Sequence, residues 1–193
     1  MTLFDSLIMQ GKRAFREPRQ TAADVLALGF PKEALAPALL LVVVVSVLLS
    51  AASDMIVPPQ VEMSYFRMAL LIMIIFTAFS LSIAQVGKML GGVGTFPDSL
   101  LLAIFFQAIF IPVQALQVAL MLVSIEMAAL LSFAIIIFGF WINVNFIAAL
   151  HGFETLGRAL GVLLLASFAV AIFLMIVTPL LGISLTGGAV GDV

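Results

Sequence analysis

Charged side chains are missing from five long intervals of the chain: 34–53, 68–87, 99–125, 127–150 and 159–191. Each is at least about 20 residues, the length a helix needs to cross a bilayer's hydrocarbon core. The residues between them read as helix ends and turns. The first predicted crossing, 34–53, opens at Pro31, Lys32 and Glu33 and runs to Asp54, after which Pro58, Pro59 and Gln60 form an extended turn. The second, 66–87, lies between Tyr65 and Arg67 at one end and Gly87 and Lys88 at the other. The third, 99–121, follows Pro97 and Asp98, and Pro112 inside it predicts a kink or a break. The fourth, 127–150, starts at Glu126 and stops before His151 and Gly152, and the fifth, 159–182, runs from Arg158 to Pro179 and Gly182. Glu126 is the only charge between 99 and 150, so that stretch holds either two crossings or one crossing with a re-entrant piece. The expected fold is an all-α membrane protein: a bundle of five transmembrane helices over 31–193, preceded over 1–30 by an N-terminal interfacial amphipathic segment.

That leading segment has its own pattern. Leu3, Phe4, Leu7, Ile8 and Phe15 recur at helical spacing, and Lys12, Arg13 and Arg16 crowd its C-terminal part. The expectation is a helix lying in the membrane interface, apolar side in the acyl boundary and basic side near anionic head groups. Phe4, Leu7, Ile8, Lys12, Arg13 and Arg16 form the candidate interfacial or partner surface. Pro18 ends this helix, and Thr21 with Asp24 has the spacing of a capping box that opens a second short one.

Composition agrees with lipid as the main solvent. Of 193 residues, 64% are hydrophobic and 9% charged, against about 25% charged in a soluble domain. The net charge of −2 argues against a nucleic-acid partner. The absence of cysteine excludes disulfides, thiolate metal sites and cysteine nucleophiles. No cleavable signal peptide is expected, because charges interrupt everything before residue 33, and the first crossing serves as an uncleaved anchor. With five crossings, Lys12, Arg13, Arg16, Arg19, Lys32, Lys88 and Arg158 fall on one side and only Arg67 on the other. The positive-inside rule then places the N-terminus in the cytoplasm and the C-terminus outside.

Between the second and third crossings lies the most distinctive segment, with Gly91, Gly92, Gly94, Thr95 and Phe96. Thr95 and Asp98 have capping-box spacing. The segment lacks the order of a phosphate-binding loop, since Lys88 precedes the glycines, and no strand leads into it as a dinucleotide fingerprint requires. A tight connection is its simplest role. Together with Glu17, Pro18 and Arg19 before the first crossing and the five-span plan, the Gly91-Gly92-Val93-Gly94-Thr95-Phe96 run resembles the Yip1-domain family of multi-pass membrane proteins, over nearly the whole chain. Its short length resembles the bacterial members, which implies the cytoplasmic (inner) membrane of a bacterium. Eukaryotic members are linked to vesicle traffic and Rab-type GTPases; their Asp-Leu-Tyr-Gly-Pro type motif is absent here, and that link is not carried over.

The remaining polar residues in the crossings are candidates for helix association or for a path. Gln107, Gln114 and Gln117 lie on the third span and Asn143 and Asn145 on the fourth, beside Trp141. Amides in hydrocarbon need partners, so Gln–Asn hydrogen bonds between these two spans are expected. No carboxylate sits mid-span, as proton- or sodium-coupled transport would usually require. His151, the only histidine, is expected to cap a helix end at the interface; with Glu154 it supplies two potential ligands, one short of a catalytic zinc site. No catalytic, cofactor or metal-binding residue is assigned. The function expected is that of a non-enzymatic scaffold, adaptor or subunit of an inner-membrane assembly, partnered by the lipid bilayer and by other membrane proteins or further copies of itself. The alternative is a transporter or lipid-translocating protein using the amide-lined face of spans three and four.

Overall fold

The computed structural model of the protein describes residues 11–59 and 63–180. All regular structure among them is helical. A helical stretch over 11–16 (α1) leads into α2, Pro18–Ala27. A 3-10 turn, Lys32–Ala34, opens α3, Leu35–Asp54; then follow α4, Tyr65–Met89, α5, Phe96–Met121, α6, Ile125–His151, and α7, Leu156–Leu180. With the 3-10 turn counted into α3, five helices of 23 to 27 residues are long and apolar enough to cross a membrane. At about 1.5 Å per residue, the shortest reaches about 35 Å.

Local sequence explains where these helices start. The Asp98 N–H donates to Thr95 Oγ1 at 3.4 Å, and that hydroxyl donates to Asp98 Oδ2 at 2.5 Å, which opens α5. Ser64 accepts from the Arg67 N–H at 3.4 Å and opens α4. Ser124 accepts from the Met127 N–H at 3.2 Å, donates to Glu126 Oε2 at 2.6 Å, and opens α6. The Ser124 cap settles the stretch 99–150: it holds two full-length helices joined by a three-residue turn. Helix α5 also continues through Pro112, so no break occurs there. A proline removes one hydrogen bond from the helical ladder, a loss that packed neighbours tolerate within a membrane bundle.

The Thr21 and Asp24 pair is not a cap. Helix α2 begins at Pro18, three residues earlier, where a proline ring is preorganised for the first helical position. Thr21 is therefore inside the helix, and its hydroxyl donates back to the Glu17 carbonyl at 2.9 Å. Asp24 instead pairs with Arg13 at 2.6 Å.

The five long helices close a ring in the order α3, α4, α7, α6, α5, and α4 and α5 also touch across it. One core lies among α4, α5, α6 and α7, around Ile83, Phe110, Ile142, Phe146 and Val162. A second joins α3 to α4 and α5, around Leu39, Val43, Leu100 and Ile104. Helix α2 lies outside the ring, against α6 and α5, and buries Pro18, Thr21, Ala22 and Val25. By connectivity, α2, the α4–α5 loop and the α6–α7 loop share one end of the bundle. That end carries Lys32, Lys88 and Arg158 and is called the basic end below.

Candidate functional site

Two helix ends meet at the basic end, and each is closed in the same way. Gly91 takes the left-handed conformation, φ +86°, after α4. The Gly92 N–H then reaches back to the Gly87 carbonyl at 2.8 Å and the Gly91 N–H to the Lys88 carbonyl at 3.0 Å. This pair of bonds is the Schellman closure of a helix C-terminus. After α6, Gly152 takes φ +68°, the Phe153 N–H reaches the Ala148 carbonyl at 2.9 Å, and the Gly152 N–H reaches that of Ala149 at 3.3 Å.

His151 lies between the two closures and is 2% exposed. Its Nδ1 accepts a hydrogen bond from the Gly94 N–H at 3.1 Å. An accepting Nδ1 carries no proton, so in the neutral ring the proton is on Nε2. Nε2 is buried without a hydrogen-bond partner. The imidazole is held by glycine main chain on three sides. A Cβ at Gly87 would fall 2.1 Å from Cε1 and Nε2, one at Gly92 2.4 Å from Nδ1, and one at Gly94 2.8 Å from Cε1. The Phe153 ring stacks on the imidazole with centroids 5.3 Å apart. His151 is thus the buried key of the glycine loop and not an interfacial cap exposed to head groups. The three loop glycines serve two needs: Gly91 a conformation, Gly92 and Gly94 a close approach.

A second tie fixes the N-terminal segment to the same end. The Arg19 guanidinium donates to the Phe153 carbonyl and, at 3.4 Å, to the Glu154 carbonyl. Before it, Phe15 sits between Phe110 of α5, with centroids 5.9 Å apart, and Phe138 of α6, at 5.5 Å. Ala14 is fully buried, while Lys12, Arg13 and Arg16 are exposed. The apolar side of this segment therefore faces the bundle over 11–16, where the acyl boundary was expected. Burying Phe15 and Ala14 against α5 and α6 removes apolar surface from the interface just as lipid would, and adds aromatic packing. Phe4, Leu7 and Ile8 lie outside the described residues.

The span amides do not pair Gln to Asn. Gln107 Nε2 donates to Ser46 Oγ of α3 at 2.8 Å and to Gln114 Oε1 at 3.4 Å. Gln117 Nε2 donates to Ser132 Oγ of α6 at 2.7 Å. Asn145 Nδ2 returns to the Trp141 carbonyl at 2.9 Å, and Asn143 lines a cavity of about 20 Å³ with Phe79 and Ser99. The reason is the ring order: Gln107 faces α3, and the hydroxyls of Ser46 and Ser132 are the acceptors within reach. Gln114 and Gln117 also line a crevice of about 190 Å³ with Ser46, Ser50 and Ser53. Thr95 and Phe96 stand at the start of α5, where Phe96 packs into the α3 core.

His151 and Gly87 hold a role that the sequence reading did not assign them, as do Arg19, Ser46 and Ser132. A signal for the first two existed: four glycines within eight residues, Gly87 to Gly94, across from the chain's single histidine at a span end. Among the described residues, no three His, Asp or Glu side chains gather as a metal site would need. The family model of the Yip1 domain matches residues 12–178, from α1 to the last turns of α7. No curated protein and no solved structure matches the chain.

Proposed function

The chain belongs to the Yip1-domain family, and from that premise we propose that this multi-pass membrane protein acts without catalysis, as a scaffold or adaptor that holds a partner at its basic end. The observation that carries the reading is the locked loop after α4. Met89 is 83% exposed and Val93 76%, with Leu90 partly exposed between them. They flank a backbone that the Schellman bonds and His151 hold in place. Apolar groups presented on a fixed frame lose little entropy on docking, which favours association. In this reading the basic end faces the cytoplasm of a bacterium on the strength of its Lys and Arg excess, and the partner is another membrane protein or a second copy.

The spans support the same reading. Every charged side chain of the five long helices stands within three residues of a helix end: Lys32, Glu33, Asp54, Arg67, Lys88, Asp98, Glu126 and Arg158. Coupled transport depends on ionisable groups deeper in the bilayer. One observation favours the second reading, a transport or lipid-translocating path: the crevice between α3 and α5 lined by Gln114, Gln117 and three serines.

Two measurements separate them. A photo-reactive residue at Val93 should form a discrete protein adduct in native membranes, lost when Gly92→Val displaces the loop, and liposomes holding the purified protein should show no ion or lipid flux above empty ones. A flux abolished by Gln114→Leu, with no adduct at Val93, would sink the scaffold reading.

A further inference from the structure

Below the basic end, a groove of about 550 Å³ opens between the N-terminal segment and α6. Ligand sites commonly have about 300–1,000 Å³. One wall brings Arg16 and Glu17, both exposed and neither in an ion pair among the described residues. The other wall brings Trp141 and Asn145. Asn145 is 6% exposed, and with Nδ2 tied to the Trp141 carbonyl, Oδ1 is the atom it offers the groove. No donor among the described residues meets that oxygen, which leaves it open to accept from a ligand in the groove. Arg19 also borders the groove, but its guanidinium is already engaged by the Phe153 and Glu154 carbonyls.

We propose that this groove binds the head group of phosphatidylethanolamine. Arg16 meets the phosphate, while Glu17 and Asn145 Oδ1 accept from the primary ammonium beside the Trp141 ring. Each alternative leaves something unmet. A wholly anionic head group faces the Glu17 carboxylate. A choline head group carries the positive charge but has no N–H for Asn145 or Glu17. A zwitterion with a primary ammonium satisfies both charges and the amide.

The surroundings select a lipid over a soluble phosphate ester. Trp141 lies ten residues before the last residue of α6, about 15 Å along the axis, and the groove runs from it past Asn145 and Ala149 toward the basic end. Ile137, Phe133 and Leu130 continue its face toward the far end at helical spacing, and all three are more than half exposed. Acyl chains leaving a head group in the groove would lie along that stripe.

Trp141 is the chain's only tryptophan, so its fluorescence reports on the groove without labelling. The protein would be reconstituted in phosphatidylcholine vesicles containing the same minor fraction of acyl-dibrominated phosphatidylethanolamine, phosphatidylglycerol or phosphatidylcholine. Dibrominated phosphatidylethanolamine should quench Trp141 on the order of three- to tenfold more effectively than either other lipid, the range that one ordinary net hydrogen bond supplies. Glu17→Gln should bring it down to the phosphatidylcholine level, and Arg16→Gln should weaken quenching by all three. Soluble glycerophosphoethanolamine should not relieve the quenching. Equal quenching by the three lipids in the unaltered protein would overturn the proposal, whatever the variants do. So would a preference that survives Glu17→Gln, and relief by the soluble competitor would assign the groove to a soluble ligand instead.

Discussion

Replacing Gly87 by alanine tests whether His151 holds the basic end together. The added Cβ would fall 2.1 Å from Cε1 and Nε2 of His151 and 2.6 Å from Cδ2. Carbon contacts settle at about 3.5–4.0 Å, so the ring would have to retreat by about 1.5 Å. The main chain at Gly92 and Gly94 stands on its other sides, and the Phe153 ring stacks on it. Overpacking typically costs about 1–3 kcal/mol. A ring fenced in this way belongs at the upper end, about 3 kcal/mol. Gly91→Ala supplies the contrast. At φ +86° with nothing within 4 Å of its Cβ, it should cost about 1–2 kcal/mol through backbone strain alone. Unfolding in mixed micelles, titrated with SDS and followed by far-ultraviolet circular dichroism, gives each value. Truncating the ring then separates the two mechanisms. Gly87→Ala combined with His151→Ala should be less destabilised than the sum of the single changes by at least about 1 kcal/mol, because the overlap is gone. Gly91→Ala combined with His151→Ala should add to within about 0.5 kcal/mol. Additivity at Gly87, or rescue at Gly91 in its place, would refute the close-approach argument.

Three further outcomes follow from the same contacts. Arg19→Gln removes the donor to the Phe153 and Glu154 carbonyls, worth about 1 kcal/mol; trypsin should then cut after the exposed Arg13 and Arg16 about fivefold faster, and an unchanged rate would mean that the tie does not hold the segment. Gln107→Leu and Gln117→Leu each break an amide–hydroxyl bond between helices, and in the SDS titration each should cost about 0.6 kcal/mol, the mean for such bonds in a membrane; a loss several times larger at either site would point to a wider polar network. Ser80 is fully buried on α4 with its hydroxyl unpartnered, so Ser80→Ala should leave stability unchanged or raise it by about 1 kcal/mol, and a clear destabilisation would reveal a partner for that hydroxyl.

What could be read from the chain, and what could not, divides along the range of the physics involved. The crossings were legible because a hydrocarbon core sets a minimum length and penalises every charge within it. The Thr95 and Asp98 cap was legible because both residues sit within one turn of the helix they open. The identical spacing at Thr21 and Asp24 misled, since Pro18 had already started α2 and placed Thr21 inside it. Neighbour choice was harder to read. The outward and inward faces of these helices are alike in Leu, Ile, Val and Phe, so periodicity carries no direction. Gln107 met Ser46 because α5 packs beside α3, two helices back in the chain, and no residue near Gln107 signals that.

The glycines show why the tie at the basic end escaped a one-dimensional reading. Each Schellman closure is local and uses one left-handed glycine, Gly91 after α4 and Gly152 after α6. Nothing local explains Gly87, Gly92 and Gly94. Alanine would satisfy α4 at Gly87, where glycine costs a helix about 0.8–1.0 kcal/mol relative to it. That cost is offset only when the second closure is brought alongside and His151 enters the space. The two loops then become one object: His151 joins α6 to the α4–α5 loop, Phe153 covers the ring, and the carbonyls of Phe153 and Glu154 receive Arg19 from the N-terminal segment. A change at any of Gly87, His151 or Arg19 should therefore alter the surface that Met89 and Val93 present, although Gly87 and His151 are buried and Arg19 acts through the Phe153 and Glu154 carbonyls. If partner capture at Val93 is lost in Gly87→Ala and recovered when His151→Ala is added, the loop's position governs docking; if capture follows only changes at Met89 and Val93 themselves, the frame is dispensable and the loop folds onto its partner.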